Sequence, residues 1–375
     1  MPVCGNADAS VTVSDMRLQR ITIDDVRNLR EIRLTLSPRL NIFYGENASG
    51  KTSFLESIHL LAYAKSFRSH QLKHVVNRES RGLRVTAQLA EQTEQTVSVG
   101  IEFHDGQLRM RAKGKNLKKT SELAQFLPVI TLHQECQRIL SDGPRLRRKF
   151  LDWGVFHVEP DFLANWRRYA RVLKQRNMAL HTGMGKGAVL PWDKELSECA
   201  QSIDKYREQY CDMFIPLLDK LLDMLLSDNA DITVRYRPGW DKSQTLLSVL
   251  QDGYETDARR GFTHYGPHRA DLLIKAGGVT AHENLSRGQQ KLLVCALLIA
   301  QAQLHSRHSG KPCVILIDDL KAELDLEHIR RVICLLESLN TQLIMTSTEK
   351  ELLTPFCHSE HKTFHVERGC INEVL

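Results

Sequence analysis

Leu40-Asn41-Ile42-Phe43-Tyr44-Gly45-Glu46-Asn47-Ala48-Ser49-Gly50-Lys51-Thr52-Ser53 is the stretch from which the fold is read. Residues 45–52 satisfy the phosphate-binding pattern G-x-x-x-x-G-K-[ST]. The apolar run before it reads as a buried strand, and Phe54, Leu55, Ile58 and Leu61 follow at helical spacing. Strand, glycine loop and helix in that order predict an anion nest at a helix N-terminus, where backbone N–H groups and the dipole both favour phosphate. Lys51 would face the β and γ phosphates, and Thr52 would offer its hydroxyl to Mg²⁺. With glycine at about 7 % of residues, a chance match in a chain of this length has odds of roughly one in a hundred.

Working outward, 375 residues exceed what one compact core usually holds, so two lobes are expected. A hydrophobic content of 42 % supplies a real core. The net charge of +6 suits nucleic acid or other acidic partners, but 45 acidic residues stand beside 51 basic ones, so charge alone is a weak pointer. The nine cysteines include no C-x-x-C pair, and the N-terminus lacks the basic and apolar regions of a signal peptide. A reduced, cytoplasmic protein is expected. Cys357, His358 and His361 resemble half of a metal site with no second half, and are read as surface polar residues. The longest apolar run, Leu292 to Ala300, is far short of the ~20 residues that span a bilayer, which argues against a membrane protein.

Residues 1–15 are small, polar and unpatterned, and read as a flexible extension with Met16 as an alternative start. Three short strands are expected from Arg17 to Tyr44, then strands at Leu83–Ala90, Gln95–Phe103 and Gln107–Ala112. The last of these leads into a basic stretch with Arg109, Arg111, Lys113, Lys115, Lys118 and Lys119, which fits a solvated hairpin as well as a phosphate-contacting surface. After a strand at Val129–Leu132 the pattern turns helical from Arg145 to about Leu226, with an interruption near Gly183 to Pro191. That segment is rich in cations, and Arg167, Arg171 and Lys174 share one helix face. Strands at Leu272–Lys275, Val314–Ile317 and Gln342–Met345 then alternate with helices starting at Arg287 and Leu326, which argues a largely parallel α/β core. No heptad array is long enough for an extended coiled coil.

Two further motifs narrow the chemistry. The apolar strand Val314-Ile315-Leu316-Ile317 ends in Asp318-Asp319, where the first carboxylate would hold Mg²⁺ and the second would orient or deprotonate an attacking water. In Leu285-Ser286-Arg287-Gly288-Gln289-Gln290-Lys291, Ser286 and Gln289 form an S-x-x-Q capping box ahead of an apolar helical run. With the phosphate loop and the acidic strand, L-S-R-G-Q resembles the signature sequence of ABC-type ATPases. The resemblance implies that this helix N-terminus binds the γ-phosphate of a nucleotide held by a partner subunit. Ala322-Glu323-Leu324-Asp325 resembles the loop after the acidic strand in that class, and Thr346 occupies its switch position.

Val26-Arg27-Asn28, Lys65-Ser66-Phe67-Arg68, Gly143-Pro144, the run Arg147 to Gly154, Gly266-Pro267-His268-Arg269 and Ser286 to Lys291, in that order, closely resemble the RecF family of bacterial recombinational repair ATPases, from about Met16 to the C-terminus. The fold this implies is α/β, an ABC-type P-loop ATPase head with a second, largely helical lobe. The expected division is an ATPase lobe of residues 16–135 and 286–375 and a helical lobe of residues 136–285. The implied function is an ATP-dependent DNA-binding clamp with weak ATPase activity. Two subunits would sandwich ATP and Mg²⁺, bind double-stranded and single-stranded DNA near gaps, and act with RecR and RecO.

By that resemblance the nucleotide is contacted by Gly45, Glu46, Asn47, Ala48, Ser49, Gly50, Lys51, Thr52 and Ser53, by Arg27 and Asn28, and by Ser286, Arg287, Gly288 and Gln289. The metal falls to Thr52, Asp318 and Gln134, and catalysis to Lys51 and Asp319. Asp319 stands where transporter ATPases have glutamate and Thr346 where they have a switch histidine, and both departures resemble RecF practice. Lys321 and Ala322 replace the small residue and serine often found there. A transporter ATPase subunit is the alternative, and would be expected to carry that glutamate and histidine. A P-loop metabolite kinase would need no Ser286, and an inert scaffold would not need Lys51, Thr52, Asp318 and Asp319 together.

Overall fold

The strand Leu40–Tyr44 is buried at four of its five positions and forms the middle of a six-stranded sheet. In the computed structural model, which describes residues 17–90, 96–226, 231–321, 324–339, 341–349 and 360–374, the chain forms two compact units. The first comprises the residues up to Leu132, Ser306–Leu320 and the chain from Ile333 onward; the second comprises His133–His305 and Lys321–Val332. Residues 286–305, which the sequence reading groups with the ATPase lobe, belong to the second unit. The 1–15 extension, Met16, Ala322, Glu323, Cys357 and His358 lie outside the described residues.

In the first unit, Cys370–Val374, His361–Glu367, Leu40–Tyr44, Gln342–Ser347, Val314–Ile317 and Val129–Leu132 make one sheet in that order. All of its pairings are parallel except that of the edge strand Cys370–Val374. Every residue of Val314–Ile317 and Gln342–Ser347 is buried, as expected of strands covered on both faces. A second, antiparallel sheet runs Leu29–Thr35, Arg17–Val26, Gly82–Ala90, Thr96–His104, Gln107–Ala112, Lys115–Leu117. The helix Lys51–Tyr63 shares one core with both sheets and is buried around most of its circumference, which is why its apolar residues are not confined to one stripe. Phe43 stacks on Phe54 at 4.2 Å and on Phe364 at 4.6 Å between ring centroids. Gln342, fully buried, donates to Leu18 O and Ser37 O and accepts from the Leu18 N–H, so its amide ties the parallel sheet to the antiparallel one.

The second unit is built on the helices Pro144–Val158, Phe162–His181 and Lys186–Leu225. The last starts five residues before Pro191 and passes through both Pro191 and Pro216, so the expected interruption shortens to the turn at 182–185. Neither proline breaks the helix because the carbonyls they leave unbonded, on Gly187 and Asp212, sit on exposed residues where water can satisfy them. Leu272–Lys275 does not join the parallel core: Asp271–Ala276 pairs antiparallel with Ile232–Arg237 and Val279–Thr280 in a separate three-stranded sheet.

Several of the cations in the helical segment turn inward. Arg176 is fully buried, donating at 2.6 Å to Asp193 and to Asp257 and at 2.8 Å to Thr263 Oγ1. Arg207 forks onto Asp152 at 2.9 and 3.1 Å, donates to Pro267 O, and lies over the Trp166 ring. Arg147 clasps Asp271 at 2.8 and 3.0 Å, and Arg148 donates to Ala270 O. His268 of the Gly266–Arg269 block meets the Tyr169 hydroxyl through Nδ1 at 2.6 Å and Thr263 O through Nε2 at 3.0 Å; Nε2 must donate to a carbonyl, so Nδ1 accepts. Burial pushes its pKa down to about 4 and keeps it neutral. Arg171 and Lys174 remain on the exposed face.

Removing Arg176 would strand two buried carboxylates, so Arg176→Ala is expected to lower stability by about 3–5 kcal/mol. Arg171→Ala should stay within about 0.5 kcal/mol of the wild type. Urea unfolding of the two variants measures the contrast, and equal stabilities would show that the buried cluster contributes nothing.

Candidate nucleotide-binding site

The phosphate loop is shaped by backbone constraints that side chains would violate. Gly45 has φ +151°, and a Cβ there would lie 2.1 Å from Val366 O of the neighbouring strand. Gly50, at φ +126°, precedes the helix Lys51–Tyr63, and no side chain caps that helix. Its first-turn N–H groups therefore lack a side-chain acceptor, as an anion site requires. Ser49 Oγ is buried in the loop without a protein partner, a second polar group there that a bound anion would satisfy. Lys51 Nζ donates to Gly45 O at 2.6 Å and Glu46 O at 2.7 Å, which holds the ammonium over the loop. Burial lowers its pKa, and the charges of Asp318 and Asp319 work against that shift.

At the ends of the parallel strands the carboxylates meet the loop. Thr52 Oγ1 lies 2.9 and 3.0 Å from the two oxygens of Asp318. Thr346 Oγ1 donates to Asp318 Oδ1 at 2.8 Å and accepts from the Asp319 N–H at 3.1 Å. Asp319 itself adopts a left-handed conformation with φ +51°, which turns the chain sharply just past the strand. A hydroxyl and a carboxylate side by side are hard oxygen donors of the kind Mg²⁺ takes, so this donor set fits the ion that the loop motif implies. The arrangement could hold a triphosphate by its oxygens, with the Asp319 carboxylate beside it as the group able to take a water proton.

Arg27 and Asn28 pack against the same loop. Asn28 Nδ2 donates to Ser49 O at 2.9 Å, and its Oδ1 accepts from Ser53 Oγ at 3.0 Å. Arg27, at φ +56°, forks onto Glu56 with two 3.0 Å bonds. Glu56 is fully buried and is the one residue of this cluster that the sequence reading did not single out. Ser66 Oγ also donates to it, and Arg68 Nη1 lies 3.8 Å away, so the Lys65–Arg68 block closes onto the phosphate-loop helix through this carboxylate. The signal available in the sequence was a lone acidic residue inside the apolar run Phe54 to Ile58, shortly before two cations.

In the second unit, the expected box forms at the helix Arg287–Ser309: the Ser286 N–H donates to Gln289 Oε1 at 2.9 Å, and the Gln289 N–H to Ser286 Oγ at 3.3 Å. Leu285 is buried and Gln290 donates to Leu285 O and His282 O, which anchors the turn. Ser286 and Arg287 are exposed, Gly288 and Gln289 half-buried, so this helix start is open to a ligand. Gln134 is exposed at the head of the short turn Gln134–Gln137. Among the described residues no cluster of three or more His, Cys, Asp or Glu side chains could hold a metal, and no helix is long and apolar enough to cross a membrane.

Thr346→Val keeps the shape of the side chain but leaves the Asp319 N–H without its acceptor, and is expected to cost about 1–3 kcal/mol. Thr346→Ser keeps the hydroxyl and should retain most of that stability. Chemical denaturation of both decides whether the hydroxyl or the packing matters.

Residues 17–372 match the RecF/RecN/SMC N terminal domain family. The DNA replication and repair protein RecF of Pseudomonas aeruginosa (strain UCBPP-PA14) is 42 % identical over 362 residues, covering 96 % of this chain and 98 % of that protein. RecF of Pseudomonas fluorescens (strain SBW25) is 41 % identical over 363 residues, with the same coverage. Among solved structures, the ATP-bound recombination mediator protein RecF of the RecFOR pathway superposes with a TM-score of 0.84 at 23 % identity, over 98 % of this chain and all of that one. An Smc head bound to the C-winged helix domain of ScpA gives 0.60 at 14 % identity, over 96 % of this chain and 97 % of that one. The fold is thus that of an SMC-like ABC ATPase head. With the phosphate loop, the acidic strand and the capped helix at Ser286 all in place, and with this identity over nearly its whole length, the chain belongs to the RecF family of DNA replication and repair proteins.

Proposed function

We propose that the protein is an ATP-gated DNA-binding clamp that acts in recombinational repair and replication. The observation that carries this reading is the convergence of Thr52, Asp318, Thr346 and the Asp319 N–H at the end of the parallel sheet, while the capped start of Arg287–Ser309 stays exposed. The first group has the parts to bind and hydrolyse a triphosphate. The second has the donors to engage a γ-phosphate held by another copy.

In this reading Lys51 pairs with the β and γ phosphates and the loop N–H groups hold their oxygens. Thr52 and Asp318 would hold Mg²⁺, and the ion would supply charge neutralisation on the phosphate oxygens. Asp319 orients and deprotonates the attacking water. Ser286 to Gln289 of a second copy complete the site, and twofold pairing makes both sites equivalent and each one composite. Dimerisation then depends on ATP, and DNA, double-stranded or single-stranded, is held while the dimer is closed. RecO and RecR are the proposed protein partners, supported by the pathway assigned to the RecF structure that this chain resembles. A cytoplasmic site of action belongs to the same reading, in keeping with nine cysteines that include no C-x-x-C pair.

Mass by light scattering and DNA affinity by anisotropy, read together with ATP, ADP and no nucleotide, test the gate: mass and affinity should rise only with ATP, and equal binding in ATP and ADP would defeat it. Lys51→Ala should weaken binding of a fluorescent ATP analogue. Asp319→Asn should bind ATP but turn it over roughly 10²–10⁴-fold more slowly. Ser286→Arg should bind ATP as a monomer yet neither dimerise nor hydrolyse it, because a bulky cation blocks the helix start. Wild-type hydrolysis by Ser286→Arg, at a rate per subunit independent of protein concentration, would mean that the signature helix does not act across a dimer.

A further inference from the structure

On the first unit, a groove of about 930 Å³ lies between the segment 71–81 and the Phe103–Gly106 end of a hairpin. It lies outside the loop and carboxylates described above, sharing only Arg27 with that site. Leu72, Val76 and Phe103, all half-buried, contribute its apolar walls, and Lys73, Arg78 and Arg81 are exposed at it. None of its lining residues is a carboxylate. Glu79, between the two arginines in sequence, pairs with Arg30, and Arg27 is neutralised by Glu56. Asp105, in the hairpin end, lies 3.1 Å from His104 Nδ1. Among the described residues no hydrogen bond or ion pair engages the side chains of Lys73, Arg78 or Arg81, so three cations face one concave surface unpaired.

The groove is held by hydrogen bonds to the backbone on both of its sides. The Arg27 N–H donates to Val75 O and the Asn77 N–H to Asp25 O, each at 2.8 Å, and Asn77 Nδ2 donates to Arg27 O at 2.6 Å. Val26 and Val76 form an isolated bridge. A fixed, cationic, partly aromatic groove calls for a polyanion with flat apolar groups. A duplex keeps its bases stacked inside, out of reach of a ring set in a concavity, whereas an unpaired strand offers both phosphates and free base faces.

We propose that this groove binds single-stranded DNA, with phosphates on Lys73, Arg78 and Arg81 and an unpaired base stacked on Phe103. The proposal rests on the reading of the protein as a DNA-binding ATPase and names where that protein holds an unpaired strand.

The test is anisotropy of a labelled oligothymidylate and of a blunt duplex, with ATP, across about 50 to 200 mM salt. Arg78→Gln with Arg81→Gln alters only exposed side chains. It should weaken oligothymidylate binding and lower the slope of log affinity against log salt by about 1.4, two phosphate contacts' worth for a single strand, with the duplex slope unchanged. Phe103 also packs against the core, so Phe103→Leu is used to keep an apolar side chain of nearby size while removing the stacking face. It should weaken oligothymidylate binding roughly fivefold or more. Wild-type affinity and slope in the double arginine variant would overturn the groove assignment while leaving the clamp intact. Loss of affinity for a fluorescent ATP analogue in Phe103→Leu, with oligothymidylate binding unchanged, would assign the ring to the nucleotide's own base and overturn it too. Wild-type protein that binds neither DNA would defeat the clamp reading, and the groove with it.

Discussion

The order of three neighbouring strands sets the geometry on which the nucleotide site depends. Gln342–Ser347 lies between Leu40–Tyr44, which feeds the phosphate loop, and Val314–Ile317, which ends in the two carboxylates. With strands about 4.8 Å apart, loop and carboxylates start from backbones about 10 Å apart, a gap that side chains must bridge from both sides and from the strand between. Thr52 reaches across from the helix, Asp318 from the acidic strand, and Thr346 stands in the middle with its hydroxyl joined to both Asp318 and the Asp319 N–H. A parallel sheet buried on both faces tolerates little adjustment in register, so the three groups meet at a fixed distance.

Buried polar and ionic groups then fix each unit internally. In the first, the Gln342 amide ties one sheet to the other, and Glu56 gathers Arg27, Ser66 and Arg68 around the phosphate-loop helix. Because Glu56 lies on the helix that begins with Lys51, its ion pair connects that helix to Arg27, whose backbone N–H meets the groove segment at Val75 O. In the second, Arg176 and Arg207 satisfy carboxylates contributed by distant stretches of chain. A buried ion pair of this kind adds little net stability over apolar packing, but breaking one side of it is expensive, so it selects one arrangement of the helices over others.

Much of the site was legible because its parts are local. The phosphate loop, the acidic strand end and the S-x-x-Q box each occupy a few consecutive residues, and each is recognisable from residue type and spacing alone. The strands at Gly82–Ala90 and Thr96–His104 were readable because one face of each is buried and the other is not, and Leu40–Tyr44 because its apolar run is buried almost throughout. Where the reading failed, the cause was tertiary. Leu272–Lys275 has an apolar pattern compatible with either a parallel or an antiparallel neighbour, and only its pairing with Ile232–Arg237 decided between them. Pro191 signals a break by local rules, but the helix continues through it because the freed carbonyl is exposed to solvent.

The charges show the same division. Arg147, Arg176 and Arg207 look in sequence like Arg171 and Lys174, since a cation's residue type does not say whether a carboxylate far along the chain will face it. Packing assigned the first three to buried pairs and left the other two at the surface. Glu56 was likewise silent, its role depending on Arg27, 29 residues before it, and on Ser66, ten residues after it. By itself the sequence determined the class of the protein, the loop that would bind phosphate and the carboxylates that would serve it, because backbone geometry and side-chain chemistry there are set within a few residues. The tertiary structure alone decided which polar groups meet, which cations are spent on the interior and which face a groove, because those outcomes depend on contacts between residues that the chain keeps far apart.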